Sequence, residues 1–145
     1  MQISLVKHGL FGHAGFRRIA IGQCHQILVE INAETARKVA AATIGECKKN
    51  DWKMAVAVVD THGTLVHFEK IDDTQHASVE IAQAKARGAA TFRRPTRIFM
   101  DVVNKTPATG TLPGVIGSPG GVPLVVGGKI IGAVGVSGGT GDQDE

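Results

Sequence analysis

The sequence predicts a single α/β domain of the α+β kind, with an antiparallel sheet flanked by helices. Two apolar strand pairs are each joined by a turn of two or three residues, and helical patterns lie before and between the pairs. Strands joined by so short a turn must run antiparallel, because a parallel crossover needs about a dozen residues or more. Twelve of the 19 glycines follow residue 109, which predicts tight turns or close backbone contacts there.

The first predicted helix spans about residues 33–49. Asn32 is a suitable N-cap, and Glu34 places a negative charge in the first turn, where the helix dipole favours it. Small and apolar residues recur at helical spacing along this segment, and we expect the helix to end near Asn50.

The first strand pair follows this helix. The segment MAVAVVD at 54–60 is apolar and rich in β-branched residues, which is typical of a central strand covered on both faces. THG at 61–63 predicts a turn, and TLVHFEK at 64–70 predicts the returning strand.

Two helices are predicted next, over about 75–92 and 97–105. Asp73 or Thr74 is expected to cap the first of them, and Thr96 to start the second. The residues of the second helix expected to point inward are Ile98, Phe99, Val102 and Val103.

Residues 106–122 form a long loop with three of the five prolines. A loop of this length in a small domain is more often functional than a simple connection. The last strand pair is then predicted to join about 123–127 to 129–136 across Gly127 and Gly128.

The composition excludes several classes of protein. A net charge of +3 without a basic stripe or aromatic platform argues against nucleic-acid binding, and Arg93, Arg94 and Arg97 are interpreted as a solvated helix start. No apolar run approaches the length of a membrane span. Cys24 and Cys47 form no CxxC or zinc pattern, which predicts a reduced, cytoplasmic compartment.

Four segments, taken in order, carry a family resemblance. They are AVAVVDTHGTLVHFEKID at 55–72, AQAKARGAATFRRPT at 82–96, GGVPLVV at 120–126 and the glycine-rich end after it. Together they resemble the GlcG/HbpS family of haem-binding and haem-degradation-associated proteins, and also the C-terminal domain of PduO-type corrinoid adenosyltransferases. The resemblance covers residues 32–145. Residues 1–31 are predicted to be a basic extension, flexible or loosely docked.

The resemblance implies a profilin-like fold, a homo-oligomer with an even number of subunits, and haem or a related tetrapyrrole as ligand. The pocket would form partly between subunits. Relatives continue into a C-terminal helix, so Asp142, Asp144 and Glu145 are interpreted as the first turn of a truncated one. One face of the sheet would then lack part of its cover, which a partner subunit could supply.

Four charged residues form one candidate ligand-binding group: Asp60, Lys70, Asp72 and Lys85. The strand ends are expected to bring the first three toward one rim of the sheet. Lys85 lies on an otherwise small and apolar helix stripe, where a charge needs a partner. A structural ion pair with Asp60 or Asp72 and a small anion site are both open interpretations. Relatives often have Arg in place of Lys70, and Lys lacks the planar fork that grips carboxylates.

The glycine-rich end offers a second group. VSGGTG at 136–141 follows a strand but matches neither phosphate-binding pattern. Either it is a turn that lets helix and sheet pack closely, or its backbone amides line a ligand pocket. The candidate residues, including those of the matching family motif, are Gly120, Gly121, Pro123, Ser137, Gly138 and Gly139.

Histidines decide how haem iron could be held, because imidazole is a common axial ligand. His62, His67 and His76 come from one β–β–α unit and are the candidate ligands, and two of them could approach each other. His8, His13 and His25 lie in or near the extension. The loop at 106–122, with Thr106, Thr109 and Thr111, is a second candidate site.

No catalytic motif is recognised: GxSxG and HExxH are absent, and the acids form no evident catalytic pair. The first hypothesis is therefore a ligand-binding protein. The alternatives are a small-metabolite enzyme or accessory protein of a glycolate- or diol-type pathway, using the Asp/Lys group, and an assembly module without ligand.

Overall fold

The computed structural model describes residues 30–145, so residues 1–29 of the predicted extension, with Cys24 and the first three histidines, lie outside the described part. Four strands form one sheet in the order β2-β1-β4-β3, and every neighbouring pair is antiparallel. This confirms the predicted sheet flanked by helices. The elements are α1 (Ala33–Lys49), β1 (Ala55–Val59), β2 (Leu65–Lys70), α2 (Ala77–Phe92), α3 (Arg97–Lys105), β3 (Gly121–Val126), β4 (Lys129–Ser137) and α4 (Gly141–Asp144).

The two faces of the sheet are covered by different helices. On one face, Val56 and Val58 of β1 pack with Ile44 of α1. On the other face, Ala57 of β1 packs with Ala86 of α2. Every residue of β1 is fully buried, which confirms the prediction of a central strand covered on both sides.

Helix α2 lies very close to the sheet because β4 has no side chain at the contact. A Cβ placed on Gly135 would overlap the carbonyl oxygen of Ala82 and lie 2.5 Å from the backbone nitrogen of Ala86. Only glycine fits there, since backbone of helix and strand meet directly. This contact fixes where the rest of α2 can place its side chains.

The predicted helix caps are partly confirmed. Asn32 caps α1, with its side-chain oxygen accepting from the Thr35 N–H at 2.8 Å. The expected caps of α2 are wrong, because that helix begins only after His76. The hydroxyl of Thr74 instead donates to the Ile71 carbonyl at 2.6 Å, and Asp73 has a left-handed φ of 65°. Both residues therefore shape the turn after β2.

Helix α3 sits at the margin of the domain, and its predicted inward face is partly wrong. Phe99 is buried, with its ring 4.9 Å from that of Phe92. Ile98 and Val102 are instead exposed. They lie on a side of the helix that no described element covers. A short 3-10 helix, Pro107–Thr111, lies within the predicted loop.

Candidate functional site

The antiparallel pairing of β1 and β2 separates the predicted Asp/Lys group. Lys70 pairs with Ala55 at the start of β1, whereas Asp60 follows Val59 at the end of that strand. The prediction that Asp60, Lys70 and Asp72 gather at one rim is therefore wrong. We call the two rims the Lys70 end and the Asp60 end. The turn at Gly127–Gly128 lies at the Asp60 end, because Ala133 of β4 pairs with Val59.

Asp60 organises the turn at its own end. Its Oδ1 accepts hydrogen bonds from the backbone N–H groups of His62 at 2.8 Å and Thr64 at 2.9 Å. Partial burial raises the pKa of Asp60, but the bonds from Thr64 and His62 outweigh that effect and hold the pKa below its ordinary value. Asp60 is therefore an anion at neutral pH that stabilises a tight turn.

Lys85 forms a buried ion pair at the Lys70 end, but not with a predicted partner. Its Nζ lies 2.7 Å from Asp144 Oδ2 and donates to the Val136 carbonyl at 3.0 Å. The side chains of Lys85 and Asp144 are 1% and 5% exposed. The ion pair is confirmed and its expected partners, Asp60 and Asp72, are wrong. The short α4 helix carries Asp144 under the sheet rim, and sequence spacing alone did not indicate that contact.

The charged groups of this ion pair are both engaged with internal partners and are not free for a ligand. The second oxygen of Asp144 accepts from the Gly139 N–H at 2.9 Å, so both charges are neutralised by internal partners. Lys70 and Asp72 are exposed at the same end, and no ion pair joins either of them to another residue within 30–145. The four charged residues therefore do not form one site.

The glycines at the Lys70 end are engaged in packing. The Gly121 N–H donates to Thr96 Oγ1 at 2.9 Å, and its carbonyl accepts from the Thr96 N–H at 2.9 Å. A Cβ at Gly120 would lie 2.7 Å from the Val136 carbonyl, and Gly138 would collide with the Lys53 carbonyl. These contacts favour the close-packing interpretation. Thr96 was expected only as a helix start, yet its hydroxyl holds β3 in place.

The remaining candidates of this group lie in the strands. Ser137 is buried and pairs with Ala55, whereas Pro123 is half-buried and pairs with Ala133. A ligand pocket lined by these residues and the glycines stays a prediction.

The three candidate histidines are spread along the β1–β2 hairpin. His62 is in the turn at the Asp60 end, His67 pairs with Val58 within β2, and His76 follows the Lys70 end. A strand rises about 3.3 Å per residue, so the length of β2 separates the first from the last. The structure thus does not bring the three histidines together. His62 instead meets Glu30, with 3.0 Å between Nδ1 and Oε1.

An apolar surface remains on α3 and the loop after it. Ile98, Val102 and Leu112 are its exposed large residues, and we call them the α3 surface. The loop lies against this helix, since the position of a Cβ at Gly110 is 3.5 Å from Val103. Exposed basic residues flank the helix, namely Arg93, Arg94 and Lys105.

The α3 surface combines exposed apolar side chains with basic residues near the helix ends, and the sequence indicated only part of it. Arg97 is already occupied, because it donates to Asp142 at 2.8 Å and also pairs with Glu145. The exposed threonines Thr106 and Thr111 lie in the loop, with half-buried Thr109 between them. The apolar period of α3 was visible in the sequence, but its outward direction depends on where Phe99 packs.

The comparisons with known proteins decide the family. The family model described as "Haem degrading protein HbpS-like" matches residues 31–145. This chain belongs to the HbpS-like family. It is 43% identical over 110 residues to the protein GlcG of Escherichia coli. The aligned part covers 75% of this chain and 82% of GlcG. The predicted family is therefore confirmed.

Solved structures of HbpS-like proteins share this fold. The PduOC:heme complex matches with a TM-score of 0.73 and 26% identity, over 80% of this chain and 88% of that one. A double mutant of HbpS from Streptomyces reticuli matches with a TM-score of 0.75 and 26% identity, over 94% of this chain and 91% of that one. Across residues 30–145 of this HbpS-like chain, no helix is long and apolar enough to cross a membrane.

Proposed function

We propose that this HbpS-like protein binds haem or a related tetrapyrrole in a pocket formed partly between subunits. One observation carries the choice of ligand: the chain resembles a structure solved as a PduOC:heme complex, with a TM-score of 0.73. The family description, which refers to haem degradation, points to the same ligand class. The chain's own surface supports this choice in two ways.

The first support is the α3 surface. Haem is a flat apolar ring that carries two carboxylates at one edge. Ile98, Val102 and Leu112 offer exposed apolar area, whose burial under a ring is favourable at about 25 cal/mol per Å². Arg93, Arg94 and Lys105 stand near the ends of α3, where guanidinium and ammonium groups could pair with the carboxylates.

The second support concerns the iron ligand. The α3 surface holds no histidine, and the histidines of the described chain lie on the β1–β2 hairpin or just before α2. Met100 is two positions from both Ile98 and Val102, so it faces another side of the helix. Threonine hydroxyls of the loop are not common haem ligands. A second copy of the chain would supply the histidine, which is why we place the pocket between subunits and expect a homo-oligomer.

A hemin titration followed by absorbance tests the proposal. We expect a saturable shift of the Soret band at no more than one haem per chain. Ile98→Glu should weaken binding at least tenfold, because a carboxylate replaces apolar contact and repels the ligand's own carboxylates. Val125→Glu is the control, since Val125 is also exposed, at 58%, and lies on β3, at the opposite edge of the sheet from β2. A wild-type protein without a saturable shift, or equal losses in both variants, would contradict the proposal.

Replacement of single histidines tests the iron ligand. His62→Ala, His67→Ala and His76→Ala should leave the fold intact, and one of them should shift the Soret band and lower affinity. Light scattering at micromolar concentration should give a dimer or a larger even-numbered assembly. If all three variants bind hemin like the wild type, histidine ligation from the described chain is wrong. A monomeric mass would refute the shared pocket.

The other functions have less support. The enzymatic alternative needed Asp60, Lys70, Asp72 and Lys85 together, and the first lies at the opposite end from the others. An oligomer that formed without binding hemin would support the alternative of an assembly module without ligand. A cytoplasmic location stays a prediction that rests on cysteine usage alone.

A further inference from the structure

The Asp60 end contains a cluster of side chains that the haem proposal does not use. Glu30 reaches this end because the Ile31 N–H donates to the Ile131 carbonyl at 2.8 Å. Ile31 thus lies beside β4, and its side chain approaches Gly132, which also contacts the Val59 carbonyl. This pairing carries Glu30 beside the turn that follows β1, although 30 positions separate Glu30 from Asp60 along the chain.

We propose that Glu30, Asp60 and His62 form a binding site for a divalent transition-metal ion. One ligand atom of each residue lies within 4.8 Å of the other two. Two ligands of one ion at bond lengths near 2.1 Å lie at most about 4.2 Å apart. Glu30 and His62 are exposed, so small rotations of these two side chains would bring the three donors onto one ion.

The local contacts fit such a site. His62 Nδ1 lies 3.0 Å from Glu30 Oε1, and Thr61 Oγ1 donates to the same oxygen at 2.8 Å. The His62 nitrogen and the Glu30 oxygen are therefore already at about the separation of two adjacent ligands on one ion. An ion bound by both atoms would take the place of this direct contact.

The charge balance also favours a cation. Within residues 30–145, neither Glu30 nor Asp60 pairs with a lysine or arginine. Asp60 uses Oδ1 for two backbone N–H groups, which fixes the carboxylate and leaves Oδ2 for a ligand. The carboxylates thus contribute two negative charges on one small surface.

The donor set selects the kind of metal. Imidazole nitrogen together with carboxylate oxygen suits Zn²⁺, Ni²⁺, Cu²⁺ or Fe²⁺, whereas Mg²⁺ and Ca²⁺ prefer oxygen alone. Three protein ligands leave at least one coordination position open to water. Since the side chains of His62 and Glu30 are 69% and 37% exposed, the ion would exchange readily with solution. It differs from haem iron, which needs only axial ligands from protein.

Co²⁺ and Zn²⁺ titrations of chelator-treated full-length protein test the site. Wild type should bind one more equivalent per chain than His62→Gln and Glu30→Gln. His76→Gln and Glu34→Gln are the matched controls, since they alter exposed residues of the same types elsewhere. The histidines at 8, 13 and 25 are present in every variant, so only the difference reports on this site. Equal binding by wild type and His62→Gln would overturn the proposal.

Nuclear magnetic resonance locates the ion without any substitution. Paramagnetic Co²⁺ should broaden the backbone amide signals of Ile31 and of the turn at 60–64 before those of Gly138 and Gly139 at the other end of the sheet. Broadening that begins elsewhere, or none at saturating metal, would contradict the site. Because metal on His62 would block it as a haem ligand, the hemin experiments use chelator-treated protein, and the two proposals can fail separately.

Discussion

At the Lys70 end of the sheet a lysine and an aspartate are buried together, whereas at the Asp60 end Glu30 and His62 are exposed beside the half-buried Asp60. The first pair is covered because α2 and α4 both lie over the rim, and the charges of Lys85 and Asp144 both meet internal partners. The second group lies on a turn that helices leave open. A carboxylate thus neutralises a buried cation at one end, whereas carboxylates remain accessible to a ligand at the other.

Removal of the buried cation should have the largest effect. Lys85→Met leaves the carboxylate of Asp144 buried without its partner, and such a change typically costs about 3–5 kcal/mol in the free energy of unfolding. Lys70→Met, at an exposed position of the same end, should change it by less than about 0.5 kcal/mol. Chemical denaturation measures both variants.

The double variant Lys85→Met with Asp144→Asn separates the two explanations of that loss. It removes both charges, and the asparagine oxygen can still accept from the Gly139 N–H, so it should recover part of the stability. A double variant as unstable as the sum of the single ones would show that the charges do not interact.

A methyl group at Gly121 should have the next largest effect. Gly121→Ala places a carbon against the Lys85 carbonyl and 2.6 Å from Thr96 Cγ2, and overpacking of this kind costs about 1–3 kcal/mol. Gly45→Ala is the control: nothing lies within 4 Å of its position in α1, so it should stabilise by about 0.5–1 kcal/mol. If Gly121→Ala kept full stability and lost only hemin binding, the packing interpretation of this glycine would be wrong.

Loss of the Asp60 carboxylate should have a smaller effect that depends on pH. The pKa of Asp60 is held below its ordinary value, so the folded state binds a proton less readily than the unfolded chain. The stabilisation is then complete above the pKa of the unfolded chain, about 3.9, and disappears as the pH falls through the pKa of the folded state. Asp60→Ala should unfold at a lower temperature than wild type at neutral pH, and the two unfolding temperatures should converge in acid. Thermal unfolding at several pH values measures this difference. A difference that persists in acid would contradict the electrostatic explanation.

The smallest effect is expected at the hairpin tip of the Asp60 end. Val126 is 60% exposed, so Val126→Lys should change stability by less than about 0.5 kcal/mol. The hemin affinity should also stay unchanged, because Val126 lies outside the α3 surface. A loss several times larger would show that this tip is covered in the assembly, and the description of this end as open would be wrong.

Local patterns were sufficient for most of the fold. The period of small residues and the Asn32 cap placed α1, and the continuous apolar run placed β1 at the centre of the sheet. The exception among the helices was the start of α2, because Asp73 and Thr74 could cap a helix or close a turn equally well. The hydrogen bond from the Thr74 hydroxyl to the Ile71 carbonyl makes this segment a turn, and that bond depends on where β2 ends.

Contacts between distant segments were not predictable in the same way. The sequence showed that Lys85 needs a partner, but the choice among Asp60, Asp72 and Asp144 depends on which rim each reaches. The antiparallel return of β2 places Asp60 and Lys70 at opposite rims, a consequence of the topology that strand prediction alone could have given. Glu30 was missed entirely, since its approach to His62 depends on the pairing of Ile31 with Ile131.

The glycine contact between α2 and β4 has a consequence for how a ligand is acquired. Where Gly135 touches Ala82 and Ala86, helix and sheet are separated by less than the width of a methyl group. A planar ligand therefore has no room between α2 and β4 at this contact, and the proposed haem would bind at the outer surface of the domain.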